Sequence, residues 1–270
     1  MNKSHIRVIC WVSILVSSLV LSLKIRPFGM AAPKLRILCL HGKQQNKDVF
    51  RAKLGKIPRK LKDVAEFTVI DAPFILEDQS TPEQIARTWF HREVNGGPID
   101  VHSLGEGLDS LVSTWSEIGP FDGVFGFSMG GTMASIMASA TSSIDPAQQI
   151  SELESTNAMD KTTAPTESEV PLFPGLRFVI CAGAVDIPKE FAATLDQSEL
   201  PVKFPLLIPT HIQSLHIAGS GDTAVPISSS RGLADRFADS KFVEHAEGHH
   251  IPMKTPIIDA IDEFVRAQIC

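Results

Sequence analysis

Asp122-Gly123-Val124-Phe125-Gly126-Phe127-Ser128-Met129-Gly130-Gly131 runs from apolar residues through a serine into small ones, with a glycine two places before the serine and another two places after. Val124–Phe127 is short, aromatic and β-branched, which predicts a strand, and Met129–Ala140 predicts a helix. A serine between strand and helix sits on a tight turn. The flanking glycines let the backbone bend without clashes, lifting Oγ above the sheet edge while the helix N-terminus points at developing negative charge. The pattern also arises by chance in ordinary turns; its place between strand and helix favours the chemical reading.

The same alternation continues on both sides. Leu35–Leu40, Phe67–Ile70, Phe178–Cys181, Leu215–Ala218 and Lys241–Val243 read as further strands. Asp48–Lys62, Thr81–Val94, Ser228–Phe237 and Thr255–Gln268 read as helices, the last with Ile258, Ile261, Phe264 and Val265 on one face. Repeated strand–helix units predict one α/β domain, a mainly parallel central sheet with helices on both faces.

A nucleophilic serine needs a base, and the base needs a carboxylate to orient it. In one recurrent chain order, serine, acid and histidine follow one another on loops at the ends of successive strands. Asp222 stands in Gly219-Ser220-Gly221-Asp222 after the strand at 215–218, and His249 stands in Gly248-His249-His250-Ile251-Pro252 after the strand at 241–243. Asp222 also suits a plain turn or helix cap. His245 and His250 compete with His249; Gly248 lets the chain turn back over the site, which favours His249. An oxyanion pocket needs two backbone donors: Met129 N–H is one, and Lys43 N–H, after His41-Gly42, is the other. His41 reads as a hydrogen-bonding residue of that turn, and Asp71-Ala72-Pro73 as a strand end and rigid turn.

Composition narrows the field. Lys and Arg number 25 against 31 Asp and Glu, a net charge of −6, with no dense basic run, which argues against a nucleic-acid partner. The four cysteines are scattered, without the spacing of a structural zinc site or a disulfide scaffold, and no cofactor or metal motif is present. The absence of tyrosine excludes a phenolic nucleophile or proton donor. Residues 1–33 form an apolar leader. Within it, residues 8–23 carry no charge and make a candidate membrane-association segment, with a signal peptide, an anchor or a start at Met30 as its readings. A start at Met30 implies a cytoplasmic protein; the other readings imply the secretory pathway or a membrane anchor. Within the main domain, 34–270, the polar stretch 141–171 reads as a flexible insertion rather than an active-site lid.

The segments Leu35–Gly42, Ile70–Pro73, Thr88–Phe90, Gly119–Ser128, Gly219–Pro226 and Gly248–Pro252 occur in sequence and together resemble the serine hydrolase (FSH) family of the α/β-hydrolase superfamily. The resemblance runs from about Leu35 to Arg266. It implies an α/β-hydrolase fold, a Ser128–Asp222–His249 triad, and cleavage of carboxylic esters or thioesters, small molecules, through an acyl-enzyme. Two positions depart from it: Met129 stands where Gln is common and Lys43 where an aromatic is common. Lys43 at a pocket mouth would attract carboxylate-bearing esters. Gly42, Trp89 and Val225 are candidates for the substrate pocket, although Trp89 and Phe90 also read as core. A peptidase or acyltransferase on the same scaffold, or a non-catalytic ligand-binding protein, remain alternatives.

Overall fold

The computed structural model of the chain describes residues 33–92, 97–141, 171–186 and 208–269. The leader, with its apolar segment 8–23, and the insertion at 141–171 lie outside the described residues except at their edges. Six strands form one sheet in the order β2-β1-β5-β6-β7-β8. They are β1 (Leu35–Leu40), β2 (Ala65–Ile70), β5 (Gly123–Phe127), β6 (Phe178–Ala182), β7 (Gln213–Gly219) and β8 (Asp239–His245), and every pairing is parallel. A separate antiparallel pair joins β3 (Phe74–Ile75) to β4 (Arg87–Thr88).

Alternation along the strands builds two cores. Leu38, Leu40, Val124, Val179 and Cys181 face one side, with Leu104, Leu108 and Leu111 of the helix Val101–Ile118 and Met133, Ile136 and Met137 of the helix Met129–Ser139. Ile37, Cys39, Phe125, Phe178, Ile180 and Ile217 face the other, with Phe50 and Leu54 of the helix Lys47–Leu54 and Ile257, Ile261 and Phe264 of the helix Thr255–Arg266. Both faces are covered, and the fold is that of an α/β hydrolase. Among the described residues no helix is long and apolar enough to cross a membrane.

Two helical expectations need correcting, and one helix was not expected. Asp48–Lys62 is two pieces, Lys47–Leu54 and Ile57–Lys60, because Gly55 takes φ 53° and ends the first. The part of Thr81–Val94 that is described is not helical. Arg87 and Thr88 pair with β3, the Arg87 N–H donates to the Gln45 carbonyl, and its guanidinium donates to the Ala72 carbonyl. Those tertiary bonds outweigh a weak local preference. The helix Val101–Ile118 has no counterpart in the sequence reading, although Asp100 caps it through the His102 N–H and Leu104, Leu108, Leu111 and Trp115 mark its buried face.

The strand order reverses between β1 and β5, so the crevice above their carboxyl ends is the natural place for a ligand. The loops after β1, β5, β7 and β8 carry Gly42, Ser128, Asp222 and His249 to this edge.

Candidate active site

Ser128 takes φ 53° and ψ −122°, a conformation that non-glycine residues rarely adopt, and its N–H is tied to the Ala182 carbonyl at 2.8 Å. Backbone strain of this kind costs about 1–3 kcal/mol and persists only where the surroundings enforce it. They do so by contact. A Cβ on Gly126 would stand 2.1 Å from the Gly130 carbonyl oxygen, and one on Gly130 would stand 2.2 Å from that of Leu40. Both glycines are therefore places where two backbones touch. The Ser128 side chain does not cap the helix it begins, which leaves its hydroxyl for another partner.

That partner is His249, whose Nε2 lies 2.9 Å from Ser128 Oγ. His249 Nδ1 lies 2.6 Å from Asp222 Oδ2, while Asp222 Oδ1 accepts from the N–H groups of Ala224 and Val225, each at 2.9 Å. The carboxylate thus holds the proton on Nδ1 and leaves Nε2 to accept from the serine hydroxyl. Burial works against the charge on Asp222, but the Val225 N–H, His249 and the Ala224 N–H more than offset it and hold its pKa below the ordinary carboxylate value. The His249 ring rests 4.9 Å from that of Phe127, and Gly183, at φ 55°, leaves it room: a Cβ there would lie 3.0 Å from His249 Cε1. The rival histidines point elsewhere. His245 Nδ1 accepts from the Glu247 N–H, and His250 Nε2 pairs with the Glu247 carboxylate.

The turn after β1 closes the other side. A Cβ on Gly42 would lie 3.0 Å from Phe127 Cδ1 and 3.2 Å from Ser128 Cβ, so a larger residue would have to push these side chains back by a few tenths of an ångström. His41 is fully buried. Its Nε2 accepts from the Ala72 N–H at 3.0 Å, which fixes the proton on Nδ1, and Nδ1–H donates to the Gly42 carbonyl at 2.8 Å. Burial pulls the His41 pKa down, so the ring is held neutral. Gln45 grips Gly42 from both ends, its Oε1 on the Gly42 N–H and its own N–H on the Gly42 carbonyl, each at 3.2 Å. A trans peptide points its N–H away from its C=O, so this clamp also sets the direction of the Lys43 N–H. The Met129 N–H, first in its helix, has no acceptor there.

Of the pocket candidates, Gly42 lies beside the serine, where an added Cβ would come within 3.2 Å of Ser128 Cβ, and Val225, 7% exposed, serves Asp222 through its backbone. Trp89 is a correction. It is fully buried, and its indole N–H donates to the His41 carbonyl at 2.8 Å, so it braces the turn from within the core and does not line a pocket. Asp71 binds the Lys47 N–H and lies within ion-pair distance of Lys47 and Arg87, as befits a structural turn. Gln45 and Phe127 were missed as site residues. No motif marks a glutamine three places after a glycine, and Phe127 reads only as strand. Among the described residues no group of three or more His, Cys, Asp or Glu is placed to hold a metal ion.

A family model described as Serine hydrolase (FSH1) matches residues 30–261. Esterase OVCA2 of Bos taurus is 27% identical over 254 residues, taking in 87% of this chain and 97% of that protein. Rhodanese-like domain-containing protein 6 of Arabidopsis thaliana is 30% identical over 263 residues and 86% of this chain, although the chain spans only 39% of that protein's length. Among solved structures, Zea mays acyl-protein thioesterase 2 superposes with a TM-score of 0.56 at 17% identity, covering 91% of this chain and 97% of that one. That likeness is one of fold.

Proposed function

The chain belongs to the serine hydrolase (FSH1) family, and on that premise we propose that it cleaves carboxylic esters or thioesters of small molecules through an acyl-enzyme formed on Ser128. His249 takes the hydroxyl proton as Oγ attacks the carbonyl, then returns it to the departing alcohol or thiol. Asp222 keeps the imidazole in the tautomer that accepts this proton and stabilises the imidazolium. The N–H groups of Met129 and Lys43 receive the oxyanion, a contribution that usually exceeds any other single one. A water deprotonated by His249 then releases the acid.

The observation that carries the reading is the continuous relay from Ser128 Oγ to His249 at 2.9 Å and on to Asp222 at 2.6 Å, across residues far apart in the chain. A fluorophosphonate probe is expected to label the purified chain on Ser128, with labelling and p-nitrophenyl ester hydrolysis both lost in Ser128→Ala. Folded protein that stays unlabelled, or a Ser128→Ala variant that still turns over ester, would refute it. A series of acyl lengths then measures pocket depth.

A further inference from the structure

The surroundings of the site hold charge that the proposed reaction leaves unused. Three carboxylates on the neighbouring loops have cations: Asp222 faces His249, Asp71 faces Lys47 at 3.5 Å and Arg87 at 3.9 Å, and Glu247 holds Lys254 at 2.6 Å and His250 at 2.8 Å. Some lysines elsewhere are matched, Lys34 with Glu66, Lys60 with Asp259 and Lys241 with Glu263, while Lys56 and Lys62 are not. Beside the site, Lys43 and Lys53 likewise have no carboxylate within ion-pair distance among the described residues, and Lys53 meets an aromatic ring instead.

Lys53 stands in the last turn of the helix Lys47–Leu54, its Nζ 5.4 Å from the centre of the Phe127 ring. Phe127 directly precedes Ser128, and its ring packs on that of His249 at 4.9 Å. The end of this helix also meets the loop that follows His249, since a Cβ on Gly55 would stand 3.0 Å from Met253 Sδ. Lys43 is exposed and follows Gly42, where an added Cβ would lie 3.2 Å from Ser128 Cβ. Lys53 is exposed as a residue, and partial desolvation of its ammonium draws its pKa below the ordinary lysine value. With a ring on one side and no carboxylate beside it, the ammonium is open to an arriving anion.

We infer that Lys53, with Lys43 as a second cation beside the same serine, selects esters or thioesters carrying a negatively charged group, a carboxylate or phosphate, within reach of the scissile carbonyl. This deepens the ester-hydrolase reading and rests on it, adding a substrate class. The charge can belong to the acyl part or to the leaving alcohol or thiol. The chemistry at the ammonium is the same, and experiment separates the two.

The acyl arm compares the p-nitrophenyl half-ester of glutarate with its neutral methyl-capped twin. The leaving-group arm compares the butanoyl thioester of 3-mercaptopropionate with that of its methyl ester. In the arm that matches, Lys53→Met lowers the anionic-to-neutral ratio of kcat/KM by about three- to tenfold at low salt, Lys53→Glu lowers it further, and Lys53→Arg restores it. Raising the salt to about 0.5 M compresses the wild-type ratio. Lys62→Met, in the groove beside β2, leaves the ratio as in wild type. A ratio unmoved by Lys53→Met in both arms, or moved equally by Lys62→Met, overturns the proposal. Should no ester turn over, the reaction itself fails, and titration calorimetry on Ser128→Ala still decides the anion site. Tighter binding of the charged ester, lost in Ser128→Ala/Lys53→Met, upholds it; equal binding of charged and neutral esters ends it.

Discussion

The turns after β1 and β5 end neighbouring buried strands, and each carries one of the two N–H groups proposed to receive the oxyanion, yet they are held in opposite ways. The β5 turn is shaped by missing side chains: Gly126 and Gly130 bring backbone within contact of backbone, and Ser128 is pressed into a positive φ between them. The β1 turn is shaped by side chains present. His41, Gln45 and the Trp89 indole tie Gly42 and its neighbours through hydrogen bonds. Steric closure is all-or-none, because overlapping atoms cannot be partly accommodated. A hydrogen-bonded turn can be loosened one bond at a time, so the two should respond to substitution on different scales.

The largest effect is expected at the β5 turn. Gly130→Ala sets a methyl group 2.2 Å from the Leu40 carbonyl oxygen and 2.6 Å from that of His41, both backbone atoms that cannot rotate aside. Strand β1 must separate from the helix Met129–Ser139, at a cost of about 3 kcal/mol or more. Chemical denaturation should show that loss, and any folded fraction should be inert to a fluorophosphonate because the serine and the Met129 N–H move together. A stable, fully reactive Gly130→Ala would mean the turn is not closed by contact at all.

The same contrast explains what was legible in the sequence. The β5 turn was readable because steric closure demands glycines at fixed offsets from the serine, and such offsets survive as a motif. Asp222 and His249 were readable through chain order and through the apolar runs Leu215–Ala218 and Lys241–Val243 that mark the strands before them. His41 was recognised as a hydrogen-bonding residue, but its partners were not, because Ala72 and Trp89 lie in another loop. The segment after Thr81 misled for the same reason: its conformation is set by bonds to Gln45, Ala72 and β3, none of them local. The helix Val101–Ile118 went unread because Gly105 and Gly107 lower its local propensity. Gly107 is nonetheless required, since a Cβ there would lie 2.2 Å from the Trp89 carbonyl oxygen. Lys53 had no signal, as a lysine near a helix end is ordinary.

An intermediate effect is expected where the β1 turn is tied by His41. His41→Phe leaves the Ala72 N–H and the Gly42 carbonyl short of a buried partner, costing about 2–4 kcal/mol of stability. It also frees the Gly42–Lys43 peptide, so kcat should fall about ten- to a hundredfold with a smaller change in KM, the sign of support lost mainly in the transition state. His41→Asn keeps a donor close to the position of Nδ1 and should recover part of kcat while leaving the Ala72 bond broken. A merely structural histidine would give no such recovery. Because burial lowers the His41 pKa, the unfolded chain protonates first. Its contribution to stability is therefore complete above about 6.5 and lost as pH falls from there through the folded value, a slope that His41→Phe should reduce.

The smallest effect belongs to Gln45. Gln45→Ala removes the side-chain oxygen from the half-buried Gly42 N–H, but both backbone bonds of this residue survive, its N–H to the Gly42 carbonyl and its carbonyl to the Arg87 N–H. The expected cost is about 1 kcal/mol in stability and a severalfold loss in kcat/KM, read from denaturation midpoints and p-nitrophenyl ester rates. In the double variant with His41→Phe the two losses should exceed their sum, since both side chains hold one peptide and either alone restrains it. Strict additivity would mean that they act on separate features, and that the β1 turn is not the single adjustable clamp its hydrogen bonds describe.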